Sequence, residues 1–137
     1  MSEVKTNKLT GTSTAGSILV TGEGNSTTTN LQQGLAKAWH NVSSDGATVN
    51  DSLNISSYTD TGTGVGSHNL SSAFGNVNYA TMTKILFDSA AGNSHRTIYT
   101  STQTTTLWTE ETYNLNTSAA LVAEDRARLA VAFGDLA

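Results

Sequence analysis

The sequence predicts an all-β chain: a small antiparallel sandwich or barrel-like module over residues 34–137, preceded by an extended N-terminal arm over residues 1–33. Three observations carry this reading. The 137 residues are 36% hydrophobic and only 13% charged, with 39 Ser and Thr and 12 Asn, so the chain is polar without being charged. Disordered chains stay open through high net charge and low hydrophobicity, and Thr suits a pleated, half-buried surface better than a helix. Apolar and polar residues alternate with period two in several stretches, and Gly, Asn, Asp and Ser clusters recur about every ten to fifteen residues, the turn rhythm of a sandwich or small barrel. The length is that of one domain with one core.

Residues 1–33 hold one short apolar patch, Ile18, Leu19 and Val20, set among Gly, Ser and Thr. Such a segment buries too little surface to offset its ordering entropy, so it reads as an arm held by a neighbouring subunit or left mobile. Leu35, Trp39 and Val42 with Ala36 and Ala38 form the first strand of the module, and Asp45-Gly46 a type I′ hairpin turn before a strand from about Ala47. Leu53 and Ile55 alternate with Asn54 and Ser56, which places the apolar pair on one face of one strand. Thr61 to Gly66 is a Gly-rich turn. Asn78 to Phe87 is the most strand-like segment, with Tyr79, Thr81, Thr83, Ile85 and Phe87 on one face and Ala80, Met82, Lys84 and Leu86 on the other. Ala90 to Ser94 is a turn, Arg96 to Gln103 a strand, and Thr104 to Leu115 one or two more. A loop or short helical turn over 119–126 and a strand from about 127 to 133 complete the chain.

Several classes of function are excluded at this level. A formal charge of −4 with seven scattered Lys and Arg leaves no basic patch for phosphate backbones, so nucleic acid is not an expected partner. No apolar run approaches the ~18 residues of a spanning helix, and the first sixteen residues lack the basic start and hydrophobic stretch of a Sec leader, so neither membrane insertion nor that route is expected. Without Cys there is no disulfide, thiolate metal site or cysteine nucleophile.

The phrases MSEVKTNKLTG at the start, GLAKAW at 34–39, DGATVNDSLNISSYTDTGTG at 45–64, NVNYATM at 76–82 and VAFGDLA at the end resemble virion structural proteins of tailed bacteriophages, in particular tail-fibre-like β modules of phages of marine bacteria. Trp39, Asp51, Leu53, Ile55, Tyr79, Phe133, Gly134 and Asp135 sit on the positions that carry the resemblance. Three departures stand out: His40 takes a position usually β-branched or apolar, His68 and Asn69 polarise a strand, and the run Glu124 to Arg128 inserts charge. The resemblance implies a non-enzymatic virion protein, made in the bacterial cytoplasm and assembled as a homo-oligomer, a homotrimer. Other virion proteins, and a host-surface glycan or receptor, are its implied partners. Arm residues Ile18, Leu19 and Val20 are then the assembly interface, and loops at Asp45, at Gly62, Gly64 and Gly66, and at Asn93 are the receptor-facing candidates. The alternative is a capsid-surface decoration or cement protein, favoured by the shortness of the chain and the lack of stalk repeats.

Catalytic constellations are weak. His40, His68 and His95 lack the i, i+2 or i, i+4 spacing of local metal pairs, so no metal or other cofactor is expected, and edge or polar roles explain them more simply. No G-x-S-x-G elbow is present, and Gly62, Gly64 and Gly66 are followed by no helix that would make them a phosphate loop. Asp60, Asp88, Glu110 and Glu111 are the carboxylates from which glycosidase chemistry would have to be built. Glu110 and Glu111 read as a solvated strand edge, and Trp39 and Trp108 as core anchors.

Overall fold

The computed structural model describes residues 3–12, 18–22, 27–86, 95–115 and 120–137. The chain divides into two compact units, Met1–Leu35 and Ala36–Ala137. Asn93 and the Ala90–Ser94 turn lie outside the described residues.

The first unit is not featureless where it is described. β1 (Leu19–Thr21) pairs antiparallel with β2 (Thr28–Asn30), and a single helical turn, α1 (Leu31–Gly34), follows. Asn30 Oδ1 accepts from the Gln32 N–H at 2.8 Å, which caps that turn, and the Leu31 N–H closes the hairpin on the Ile18 carbonyl at 2.8 Å. The sequence reading missed this hairpin because its strands are short and bury almost nothing: Leu19 and Val20 are 59% and 49% exposed.

The second unit is all-β and antiparallel. One sheet runs β4 (Val49–Leu53), β3 (Ala38–Val42), β11 (Arg128–Phe133), β7 (Ala80–Ile85). The other is built around β9 (Leu107–Leu115): β8 (His95–Gln103) pairs with β9, as do β6 (Val65–Leu70) and β10 (Leu121–Ala123), and β5 (Ile55–Gly62) adds beyond β6. Period-two alternation does what it predicts. Ala38, His40 and Val42 of β3, Arg128, Ala130 and Ala132 of β11, and Trp108, Glu110 and Thr112 of β9 all point inward and are buried. In β7, Thr81, Thr83 and Ile85 share one face and Ala80, Met82 and Lys84 the other, as the pattern requires.

Four sequence expectations differ. Leu53 and Ile55 do not share a strand: Asn54 sits at φ 59°, and the chain passes there from the first sheet to the second. Asn tolerates this left-handed conformation, and its side chain fixes the switch by donating to the Ser72 carbonyl (3.0 Å) and accepting from the Ser72 N–H (2.7 Å). The β3–β4 connection is not a two-residue type I′ turn, since only Gly46, at φ 71°, is left-handed, and the Ser43 N–H closes on the Thr48 carbonyl at 2.8 Å. Residues 119–126, read as a loop or short helical turn, hold the short strand β10 at Leu121–Ala123, followed by a loop. Trp39 faces outward, half-buried, while Trp108 is the core anchor.

The apolar cluster of the core is small: Ala38, Phe74, Tyr79, Trp108, Ala130 and Ala132, with Ile55 and Leu70 against it. Phe74 and Tyr79 stack at 3.9 Å, and the Tyr79 hydroxyl donates to the Thr104 (2.9 Å) and Leu107 (3.1 Å) carbonyls, pinning the turn into β9. Replacing Asn54 with Ala removes both side-chain bonds and leaves a Cβ residue at positive φ. We expect a loss of about 2 kcal/mol in urea unfolding, with Asn54→Gly recovering the backbone share.

Candidate functional site

Beyond the apolar cluster the sandwich interior is polar. On β9, inward positions two apart place Trp108, Glu110 and Thr112 in a line, about 6.8 Å per step. His40 arrives from β3 in the opposite sheet and His68 from β6 beside β9, and all three of His40, His68 and Glu110 are 0% exposed. The Trp108 indole donates to Glu110 Oε1 at 2.9 Å, and His40 Nε2 meets the same oxygen at 3.2 Å. His68 Nε2 lies 3.5 Å from Oε2. The two imidazoles stack face to face, centroids 3.7 Å apart and planes 16° from parallel, and His68 continues against Trp108 at 5.1 Å and Tyr58 at 4.9 Å.

Arg128 carries the other buried charge. Its guanidinium donates to the Gly64 carbonyl (3.2 Å), Thr112 Oγ1 (3.3 Å), the Gly46 carbonyl (3.3 Å) and the Tyr58 hydroxyl, which in turn donates to the Gly46 carbonyl. The positive φ of Gly64 and the missing side chain of Gly66 are what make room: a Cβ on Gly64 would lie 2.5 Å from the Thr112 carbonyl, and one on Gly66 2.2 Å from the Tyr58 hydroxyl. At the same end of the sheet Glu124 binds Arg96 (2.7 Å) and Arg126, and both guanidinium groups, Arg126 foremost, hold its carboxyl down at about 2.

Protonation follows from this geometry. Burial raises the Glu110 carboxyl, but the His40 and His68 imidazoles facing it outweigh that and hold the group well below the usual carboxylate range, so it is ionised at neutral pH. Burial, reinforced by the charge repulsion of a stacked His40, pushes His68 down to about 4, so it is neutral there. His40 Nδ1, both ring nitrogens of His68 and Glu110 Oε2 are buried without a hydrogen-bond partner.

His40, His68 and Glu110 bring their ligand atoms within 4.8 Å of one another, the composition of a metal centre. The ring geometry does not suit one. A metal lies in the plane of each imidazole that binds it, and two planes 16° from parallel at this separation share no point near both Nε2 atoms. Trp108 also occupies the Glu110 oxygen nearest His40. The hydrogen bonds of the cluster converge instead on one oxygen, Glu110 Oε1, which the indole and His40 Nε2 share.

The sequence-derived candidates fall elsewhere. Asp45 organises its own hairpin, accepting from the Ser43 hydroxyl and the Ala47 (2.9 Å) and Thr48 (3.1 Å) N–H groups, which hold its carboxyl below the usual range. Gly62 is exposed at the β5–β6 turn, whereas Gly64 and Gly66 are buried, so those two present no surface to a receptor. Asn93 lies outside the described residues. Ile18, Leu19 and Val20 lie at β1. Glu110 is not a solvated edge: β9 is the central strand, and only Glu111 faces outward, where the Tyr99 and Tyr113 hydroxyls each donate to its Oε2 at 2.7 Å. His40 and His68 are neither edge nor surface residues. The one signal that pointed to the buried cluster was the set of polar residues, His40, His68 and the charged run ending in Arg128, at positions where the pattern calls for apolar ones.

Comparison with protein-family models, curated proteins and solved structures returns no match.

Two outcomes follow. Glu110→Ala strips the acceptor from the indole and from His40, removes the carboxylate beside His68, and should cost about 3 kcal/mol or more, measured by denaturant unfolding at pH 7. Because His68 sits at about 4 when folded and near 6.5 unfolded, the unfolded chain binds the extra proton between those values. Stability is therefore full above about pH 6.5 and falls by about 3 kcal/mol as pH drops toward 4. His68→Gln should flatten that slope, and a flat wild-type profile between pH 7 and 5 would contradict the assignment.

Proposed function

We propose that this chain is a non-enzymatic structural protein of a tailed-bacteriophage virion, a tail-fibre-like β module that contacts the host surface and assembles as a homotrimer through its N-terminal unit. The observation that carries the non-enzymatic part is the sealing of the core. His40, His68 and Glu110, the histidine and carboxylate groups that catalysis would recruit, have no exposed surface and are spent on holding two sheets together. Of the remaining carboxylates a glycosidase would need, Asp60 accepts from the Gly62 N–H at 3.1 Å, Glu111 is held by two tyrosines, and Asp88 lies outside the described residues. Exposed Leu19 and Val20 support an assembly role for the first unit, since apolar side chains left in water at a hairpin gain by being covered. The virion assignment itself rests on the sequence resemblance.

A second reading, a capsid-surface decoration protein, is favoured by the shortness of the chain and the lack of stalk repeats. Ala137 is exposed, so a C-terminal tag is accessible to gold-labelled antibody on intact particles. Label on the tail tip or fibres is the expected result, label over the head selects the decoration role, and particles without label overturn both. Leu19→Ser with Val20→Ser should leave the melting of the β module unchanged while reducing incorporation into particles severalfold. Undiminished incorporation would remove the first unit from the assembly role.

A further inference from the structure

The outer face of the four-stranded sheet is covered by nothing among the described residues of the second unit, and its residues lie in ordered rows. The register places Leu53, Trp39, Val131 and Met82 side by side across β4, β3, β11 and β7. The next row, two residues along, is Asp51, Asn41, Leu129, Lys84. Leu53 is 47% and Met82 65% exposed, and Trp39, Met82, Lys84, Leu129 and Val131 line a shallow groove. One row is therefore wholly apolar, and the other has an acid at one end and a base at the other.

We propose that this face is a contact between two copies of the chain, packed sheet to sheet about a two-fold axis that runs parallel to the strands between β3 and β11. The charges select that arrangement. Turning the face over about such an axis brings β4 of one copy opposite β7 of the other at the same height. Leu53 then meets Met82, Trp39 meets Val131, and Asp51 meets Lys84, each pair formed twice by symmetry. An axis across the strands would instead set the charged row over the apolar one, leaving Asp51 and Lys84 desolvated against Leu53 and Met82. Asp51 uses Oδ1 to accept from the Ser52 N–H at 2.8 Å, and its second oxygen is available to the opposing ammonium. Four strands about 4.8 Å apart and five to six residues long give a footprint of roughly 20 Å by 20 Å, about half the standard area per partner and the size of a weak, transient contact. The contact is therefore concentration-dependent. It is separate from the assembly role of Leu19 and Val20 and does not depend on the virion reading.

Two charge reversals test it in the full chain by sedimentation velocity over a concentration series from about 1 to 500 μM, a range suited to a weak interface. Asp51→Lys alone sets two Lys–Lys pairs across the axis, and Lys84→Asp alone sets two Asp–Asp pairs, so each variant should self-associate roughly tenfold or more weakly than wild type. Mixed in equal amounts, the two variants restore both attractive pairs and should recover the wild-type association as a heterodimer. Met82→Glu, at an exposed position that leaves the core untouched, should also weaken it. The proposal is overturned by a wild-type mass that does not change with concentration, or by a mixture that associates no better than its components. It is equally overturned if Leu19→Ser with Val20→Ser abolishes self-association while the three face variants leave it at the wild-type level. In that case the first unit, and not this face, joins the copies.

Discussion

Glu110 is a carboxylate with no route to water, and the arrangement of the second unit follows from the need to satisfy it. An ionised group in that position is tolerable only if donors reach it from several directions. The indole comes from the same strand, one imidazole from the opposite sheet and the other from the neighbouring strand, so three strands must hold their registers at once for the charge to be compensated. A slip of one residue in β3 or β6 would exchange His40 for Trp39 or Asn41, or His68 for Ser67 or Asn69, and leave the carboxylate bare. In a core this poor in large apolar side chains, the polar cluster specifies the pairing of the two sheets. Arg128 is a second buried charge, fixed by three backbone or hydroxyl acceptors and the tyrosine that packs on His68.

Much of the fold was legible because β-strand periodicity is a local property. Thr81, Thr83 and Ile85 could be assigned to one face from their spacing alone, and the turns around Gly46 and Gly64 from their glycines. The sheet switch at Asn54 was not legible, since Leu53 and Ile55 flank it with the alternation of an uninterrupted strand. What separates them is a backbone torsion stabilised by Ser72, eighteen positions away. The site was illegible for a similar reason. His40, His68 and Glu110 are far apart in sequence, and a glutamate followed by another glutamate beside a tryptophan reads as surface. Only the alternation of β9, with Trp108 and Thr112 at the same parity as Glu110, separates the buried acid from its exposed neighbour.

Small residues decide where the large polar ones fit. Arg128 reaches the carbonyl of Gly64 in the β5–β6 turn, and a Cβ there or on Gly66 of β6 would strike the Thr112 carbonyl or the Tyr58 hydroxyl, of two residues whose hydroxyls also bind its guanidinium. Gly134 plays the same part at the other end, where a Cβ would come within 2.7 Å of Tyr79 Cβ. The interior thus alternates bulky rings with small residues, in a sandwich with few leucines and valines inside.

The placement of β3 beside β11 has a mechanical consequence. The strands are antiparallel, and the Lys37 N–H bonds the Ala132 carbonyl at 2.8 Å, so β3 begins and β11 ends at adjacent points on one end of one sheet. Tension applied between those points loads the β3–β11 ladder one rung at a time, peeling it open at low force. A pull that enters at one of them and leaves through the opposite end of the sheet loads all rungs together in shear. This ladder is therefore weak against tension between its own adjacent ends and strong against tension along the strands.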